Sequence, residues 1–221
     1  NELAEAAWPA TQYLWKLHPI FNWIEDKAGI FYKRNEAPVL GLPNSLQADE
    51  LIFIVAGMIS NRKSTMVVEE WFGVYYRNCQ FIQILSMSEV MQKTHMNAKE
   101  PNKQQVSGQQ IVNGQSLLQD VVEQAKKIMA QKCAEYRANA EPYIYEEMER
   151  LVALENRHKD AQLSIFDLGI AGNERKKSEK EREIEKIFND FMEWEKDTLE
   201  IAPEIEENPY IRIIAVTTGV N

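Results

Sequence analysis

The segment closest to a chemical site is Gly57-Met58-Ile59-Ser60-Asn61-Arg62-Lys63-Ser64, which departs at one position from the phosphate-binding form GxxxxGK[ST]. Arg62 stands where the second glycine lets the backbone fold around phosphates. Thr65-Met66-Val67-Val68 then continues as a strand pattern, whereas such a loop must open a helix whose amides hold the anion. No nucleotide site is expected here. Arg62 and Lys63, at the tip of a predicted hairpin, are kept as candidate contacts to a nucleic-acid phosphate. His18, His95 and His158 lie at no ligand spacing, and Cys79 and Cys133 are too far apart in sequence to suggest a zinc knuckle or a disulfide framework. No nucleophile signature occurs. The carboxylates sit mostly in helical charge runs, so no acid–base pair stands out. The expectation is a chain that is not an enzyme and holds no catalytic residue, cofactor or metal.

Two short segments point to partners instead. Gln162-Leu163-Ser164-Ile165-Phe166 resembles the pentapeptide by which bacterial proteins dock onto the DNA-polymerase sliding clamp. In such a motif the glutamine (here Gln162) orients by hydrogen bonds, and apolar side chains (here Leu163, Ile165 and Phe166) anchor in a preformed pocket. The bland alternative is a last helical turn with Ile165 in a helix seam. Arg175, Lys176 and Lys177 form the densest basic cluster, a second candidate nucleic-acid contact. Glutamates at 174, 179, 181, 183 and 185 interleave with the basic residues of this stretch, as on a solvated helix laced with i,i+4 pairs.

The elements that must carry these residues follow from periodicity. Pro19, then Phe21, Ile24, Ala28 and Phe31, predict an amphipathic helix. Val39–Leu42, Leu51–Ile59, Thr65–Tyr76 and Phe81–Leu85 are β-branched and aromatic runs between turn-prone stretches. Leu51 to Ala56 is apolar on both faces, as a central strand is. The short Ser60–Ser64 connection predicts antiparallel pairing. Ser88–Thr94 predicts a short helix. Residues 97–114, rich in Gln, Asn and Gly, predict a polar linker or loop. From Leu117 to about Ala140 an amphipathic helix is expected, kinked or ended at Pro142. Two stripes then flank Gly169–Gly172: Leu151, Leu154, His158, Ala161, Ile165, Leu168, and Ile184, Ile187, Phe191, Trp194, Thr198, Ile201. They predict an antiparallel coiled-coil hairpin with a weakly packed tip. Tyr210–Thr217 is a terminal strand that needs a sheet to join.

The predicted fold is therefore α/β, in the α+β sense. An antiparallel sheet is closed by the C-terminal strand and carries a long inserted helical hairpin. The body is expected over 1–96 plus 205–221, a linker over 97–114 and the helical excursion over 115–204. Of the 221 residues, 25 are Lys or Arg and 34 Asp or Glu, a net charge of −9. Residues 1–114 hold 10 basic against 11 acidic, and 115–221 hold 15 against 23. An acidic second half argues against broad wrapping of nucleic acid, which needs basic surface. No apolar run approaches the ~18 residues of a membrane span and no signal peptide opens the sequence. A reducing cytoplasm and no membrane are expected.

Three longer stretches carry a family resemblance. They are Leu14-Trp15-Lys16-Leu17-His18-Pro19-Ile20 with Trp23 and Asp26-Lys27, Asn61-Arg62-Lys63 with Val68-Glu69-Glu70-Trp71, and Asn208-Pro209-Tyr210-Ile211-Arg212-Ile213-Ile214-Ala215-Val216. In this order they resemble the C-terminal region after the motor of bacterial Swi/Snf-type (RapA-like) superfamily-two helicases. The resemblance implies a non-catalytic accessory region of a DNA-translocating ATPase. ATP and Mg would belong to the parent motor, duplex DNA would be reached through it, and the sliding clamp or RNA polymerase would be partners. The rival expectation is a stand-alone coiled-coil adaptor.

Overall fold

The computed structural model describes residues 19, 20, 23, 24, 27, 36–96, 105–168 and 174–220. They fall into two compact units, 1–38 and 39–221. In the first, positions 19, 20, 23, 24 and 27 are helical, and the Lys27 ammonium lies 5.9 Å from the centre of the Trp23 ring one turn away. Phe21, Ala28, Phe31 and His18 lie outside the described residues.

The second unit is α+β. Its strands are β1 (Val39–Leu42), β2 (Glu50–Ser60), β3 (Met66–Arg77), β4 (Gln80–Ser86) and β5 (Tyr210–Gly219). Its helices are α1 (Met87–Thr94), α2 (Gly108–Asp167), α3 (Glu174–Leu199) and α4 (Pro203–Glu207). The strand order is β1-β5-β2-β3-β4, in one open sheet. All neighbours are antiparallel except β1 and β5, which run parallel. The C-terminal strand thus joins the sheet as expected, but it inserts between β1 and β2 and closes no edge.

Side-chain alternation in β2 feeds two cores. Leu51, Phe53, Val55 and Ile59 pack with Val74 and Tyr76 of β3 against Leu117, Val121, Ala125, Met129 and Cys133 of α2. Ile52 and Ile54 face the other way, onto Leu85 and Val90. Each Val, Leu, Ile, Phe or Met side chain among these contributes about 1.5–3 kcal/mol by leaving water. A helix on each face explains why this strand is apolar on both. Gly57 lets Met129 approach, since a Cβ there would stand 2.2 Å from the Met129 sulfur.

Two boundaries differ from the sequence expectation. The polar stretch does not reach 114 as a linker, because Gly108–Gly114 form the first turns of α2. Ser107 caps them: its hydroxyl accepts from the Gln110 amide and the Gln110 side chain accepts from the Ser107 amide, a capping box. The Gln110 amide group also donates to Ala48 O, Thr218 Oγ1 and Gly219 O at 2.7–3.1 Å. Nor is the helical part a body apart, for the first half of α2 is the sheet's main covering layer. Pro142 lies inside α2 without ending it. Among the described residues no helix is long and apolar enough to cross a membrane.

Candidate docking arm

After Tyr136 the buried positions of α2 turn from the sheet to α3, and the two helices form an antiparallel arm. At about 1.5 Å per residue the arm extends roughly 45 Å from Tyr136 to Asp167. Its base is held by the turn between β2 and β3. Asn61 is buried; its side-chain amide donates to Thr198 O at 2.7 Å and its Oδ1 accepts from the Thr65 amide at 2.8 Å. The Arg62 amide donates to Glu200 O and the Tyr136 hydroxyl to Leu199 O. Arg62 and Lys63 both face Asp197, at 3.6 and 3.5 Å. The segment opens no helix, since β3 follows. These two cations, expected at a hairpin tip, share one carboxylate and help to dock the arm.

Along the arm, Leu151 and Ile184 are the buried seam residues. The Lys159 ammonium bridges Glu155 and Glu185, each at 2.9 Å, and these hydrogen bonds hold it well above the usual lysine range. His158, expected in the seam, is instead exposed and touches its margin, with its ring centre 6.1 Å from that of Phe188. The expected stripes are displaced on both helices: on α2 Leu151 is buried, whereas Leu154, Ala161, Ile165 and Leu168 are exposed. On α3 Ile187, Phe191 and Trp194 are 60, 47 and 50 % exposed, and the Phe191 and Trp194 rings stack on each other at 5.8 Å. The cause is width. Ile184, Ile187, Phe188, Phe191, Met192 and Trp194 cover more of the helix than one antiparallel neighbour can bury, so Ile184, Phe188 and Met192 turn inward and the rest stay outside.

The sequence-predicted partner residues gather at the far end. Gln162, Leu163, Ile165 and Phe166 are in the last turns of α2. Leu163 and Phe166 are half-buried, and Ile165 is exposed. Leu163, Ser164 and Asp167 line an open polar cleft with Lys177, Ser178 and Glu181 of α3. Lys177 pairs with Asp167 across the tip, Arg175 with Glu179 at 3.0 Å, and Lys176 is exposed on the same first turn. Arg62 and Lys63 sit at the opposite end of the arm, so the five candidate nucleic-acid contacts form no common patch.

A polar centre the sequence reading missed lies where β2, β3 and α1 meet. Glu50, buried at the start of β2, accepts from the Gln47 amide at 2.7 Å, the Tyr75 hydroxyl and the Lys93 ammonium. Lys93 also lies 4.5 Å from the centre of the Tyr75 ring. Burial alone would raise the Glu50 pKa, but these donors outweigh it and the net shift is downward. Burial and the neighbouring carboxylate push Tyr75 up to about 12. Near neutrality Glu50 is charged and Tyr75 protonated, so the group is a satisfied cluster with no proton poised to move. A lone Glu ahead of a six-residue apolar run was the available signal. A carboxylate with a depressed folded pKa stabilises the fold above its unfolded value, near 4.3, and that stability is lost as pH falls through the folded value. Glu50→Gln should therefore cost about 2 kcal/mol at pH 7 and flatten the acid limb of a urea-melt series. An unchanged acid limb would contradict the assignment.

Among the described residues no cluster of three or more His, Cys, Asp or Glu could hold a metal ion. Comparison with protein-family models, curated proteins and solved structures found no match for the chain.

Proposed function

We propose that this chain is a non-catalytic accessory module of a DNA-translocating ATPase of the Swi/Snf type, in which a sheet body presents a helical arm to partners. One observation carries this reading: a 60-residue helix spends its first half covering the sheet and its second half building a paired arm. The three stretches that resemble the helicase C-terminal region lend the family. The native reading frame tests it. Upstream codons specifying a phosphate-binding loop and a DExx box are expected, with no DNA-stimulated ATP hydrolysis by the 221-residue chain itself. A frame without motor motifs would leave the coiled-coil adaptor in its place.

The arm's far end is the proposed contact for a sliding clamp. Gln162–Phe166 is helical, so seating in a clamp pocket requires the last turn of α2 to unwind. In pull-downs with purified clamp, Leu163→Ala with Phe166→Ala should lower retention about tenfold or more, as loss of two anchors does. Equal retention would remove the clamp from the list of partners.

A further inference from the structure

The side of the arm left uncovered has a defined charge pattern. Three residues beyond each seam residue, a side chain is turned about 60° away from the seam. Leu154 holds that place relative to Leu151, and Ile187 relative to Ile184. Because the helices run antiparallel, equal rotations fall on the same side of the pair. Phe191 and Trp194 continue the line on α3, and Ile165 continues it on α2. Leu154 and Ile165 are 48 and 43 % exposed. From the level of Trp194 to that of Ile165 the stripe runs about 22 Å, the length of a helix of about 15 residues.

The rims of this stripe differ in sign. Six residues past each seam position, and one before it, stand further round. On α2 these are Arg157 and Arg150, and on α3 they are Asp190 and Glu183. Arg150 pairs with Glu147 at 3.3 Å and Glu183 with Lys180 at 2.9 Å, each within its own helix. Arg157 and Asp190 have no ion pair among the described residues; Arg157 Nε donates to Ala153 O at 3.4 Å.

We infer that this stripe docks one amphipathic helix of a partner protein, completing a three-helix bundle. The partner's apolar face would meet Leu154, Ile187, Phe191 and Trp194. Acidic residues would line its edge along Arg150 and Arg157, and basic residues its edge along Glu183 and Asp190. A second copy of this chain with its arm reversed would set Arg157 against Arg157 and Asp190 against Asp190. A copy with its arm parallel would pair unlike edges, and sedimentation distinguishes it from a separate partner. The inference rests on the arm being a docking element and is independent of the link to a helicase, which the reading frame tests separately.

The experiment uses the 221-residue chain and synthetic helical peptides that share one Leu/Ile face. Their two edges are Glu and Lys, Glu on both, or Lys on both. Fluorescence anisotropy at low salt should show the mixed-edge peptide binding about tenfold or more tighter than either uniform one. Arg150→Glu with Arg157→Glu should transfer the preference to the all-Lys peptide. Phe191→Asp should abolish binding of all three at unchanged circular dichroism. Equal affinity for the three peptides, or binding of none, overturns the proposal. So does a dimer in sedimentation that Phe191→Asp dissociates, which would assign the stripe to a second copy.

Discussion

Gly219→Ala should cost about 3 kcal/mol, the upper part of the range for overpacking a filled site. Gly219 ends β5 beside Leu42 of β1, where the segment after β1 crosses it. Its amide donates to Gln47 O at 3.2 Å and its carbonyl accepts from Gln110. A Cβ there would stand 2.1 Å from Leu46 O and 2.4 Å from the Gln47 carbonyl carbon. Both are backbone atoms, so no side-chain rotation relieves the clash. Either the crossing segment or β5 must move, and the ties from Gln110 to Ala48 and Thr218 move with them. For a chain of this size the melting temperature should fall by about 6–12 °C. Gly57→Ala makes a useful comparison, because the atoms it meets belong to the flexible Met129 side chain and can give way at lower cost. A loss below about 1 kcal/mol for Gly219→Ala, measured by urea melts, would show that the crossing is loose.

Asn61→Leu is the second large effect expected, again about 3 kcal/mol. The substitution strips the Thr65 amide and the Thr198 carbonyl of their partner together. Each polar group left unpaired away from water costs about 1–3 kcal/mol. The loss is also local in a telling way, because one bond closes the β2–β3 turn and the other fastens the end of α3. Hydrogen exchange should therefore quicken at the start of β3 and around the end of α3 before it quickens in β2. Uniform acceleration through the sheet would mean that Asn61 fastens nothing in particular. Arg62→Ala, which leaves Lys63 on Asp197, should cost well under 1 kcal/mol, as exposed ion pairs do.

Much of the body was legible because its strands are written in local chemistry. Val39–Leu42 lies between prolines, and Tyr210 onward is a β-branched run after Asn208-Pro209. Each begins and ends within two residues of where residue type places it. The order of the strands was not legible, since the insertion of β5 beside β2 depends on residues more than 150 positions apart. Gly108–Gly114 was hidden by composition: a Gln- and Asn-rich stretch looks like a loop unless Ser107 and Gln110 are recognised as a capping box. In the arm, the heptad spacing revealed the pairing of α2 with α3 but not its phase. Three apolar residues per two turns suit one neighbour, and α3 carries more than that. The candidate contacts Arg62 and Lys63 were visible as charge on a turn, whereas the carboxylate that receives them lies on another element far along the chain.

Pro142 has a mechanical consequence. It carries no N–H, so the carbonyl of Ala138 lacks its usual i+4 donor, and this gap falls just past Tyr136, where α2 leaves the sheet. About 25 residues remain between Pro142 and Asp167, a length of some 38 Å. A swing of about 10° at the proline sweeps the end of that lever through roughly 6 Å, more than a full helical turn. Any such bend must be shared by the end of α3, which Asn61 and Arg62 tie to the body, so the ring at 142 sets where α2 yields and the β2–β3 turn sets how far.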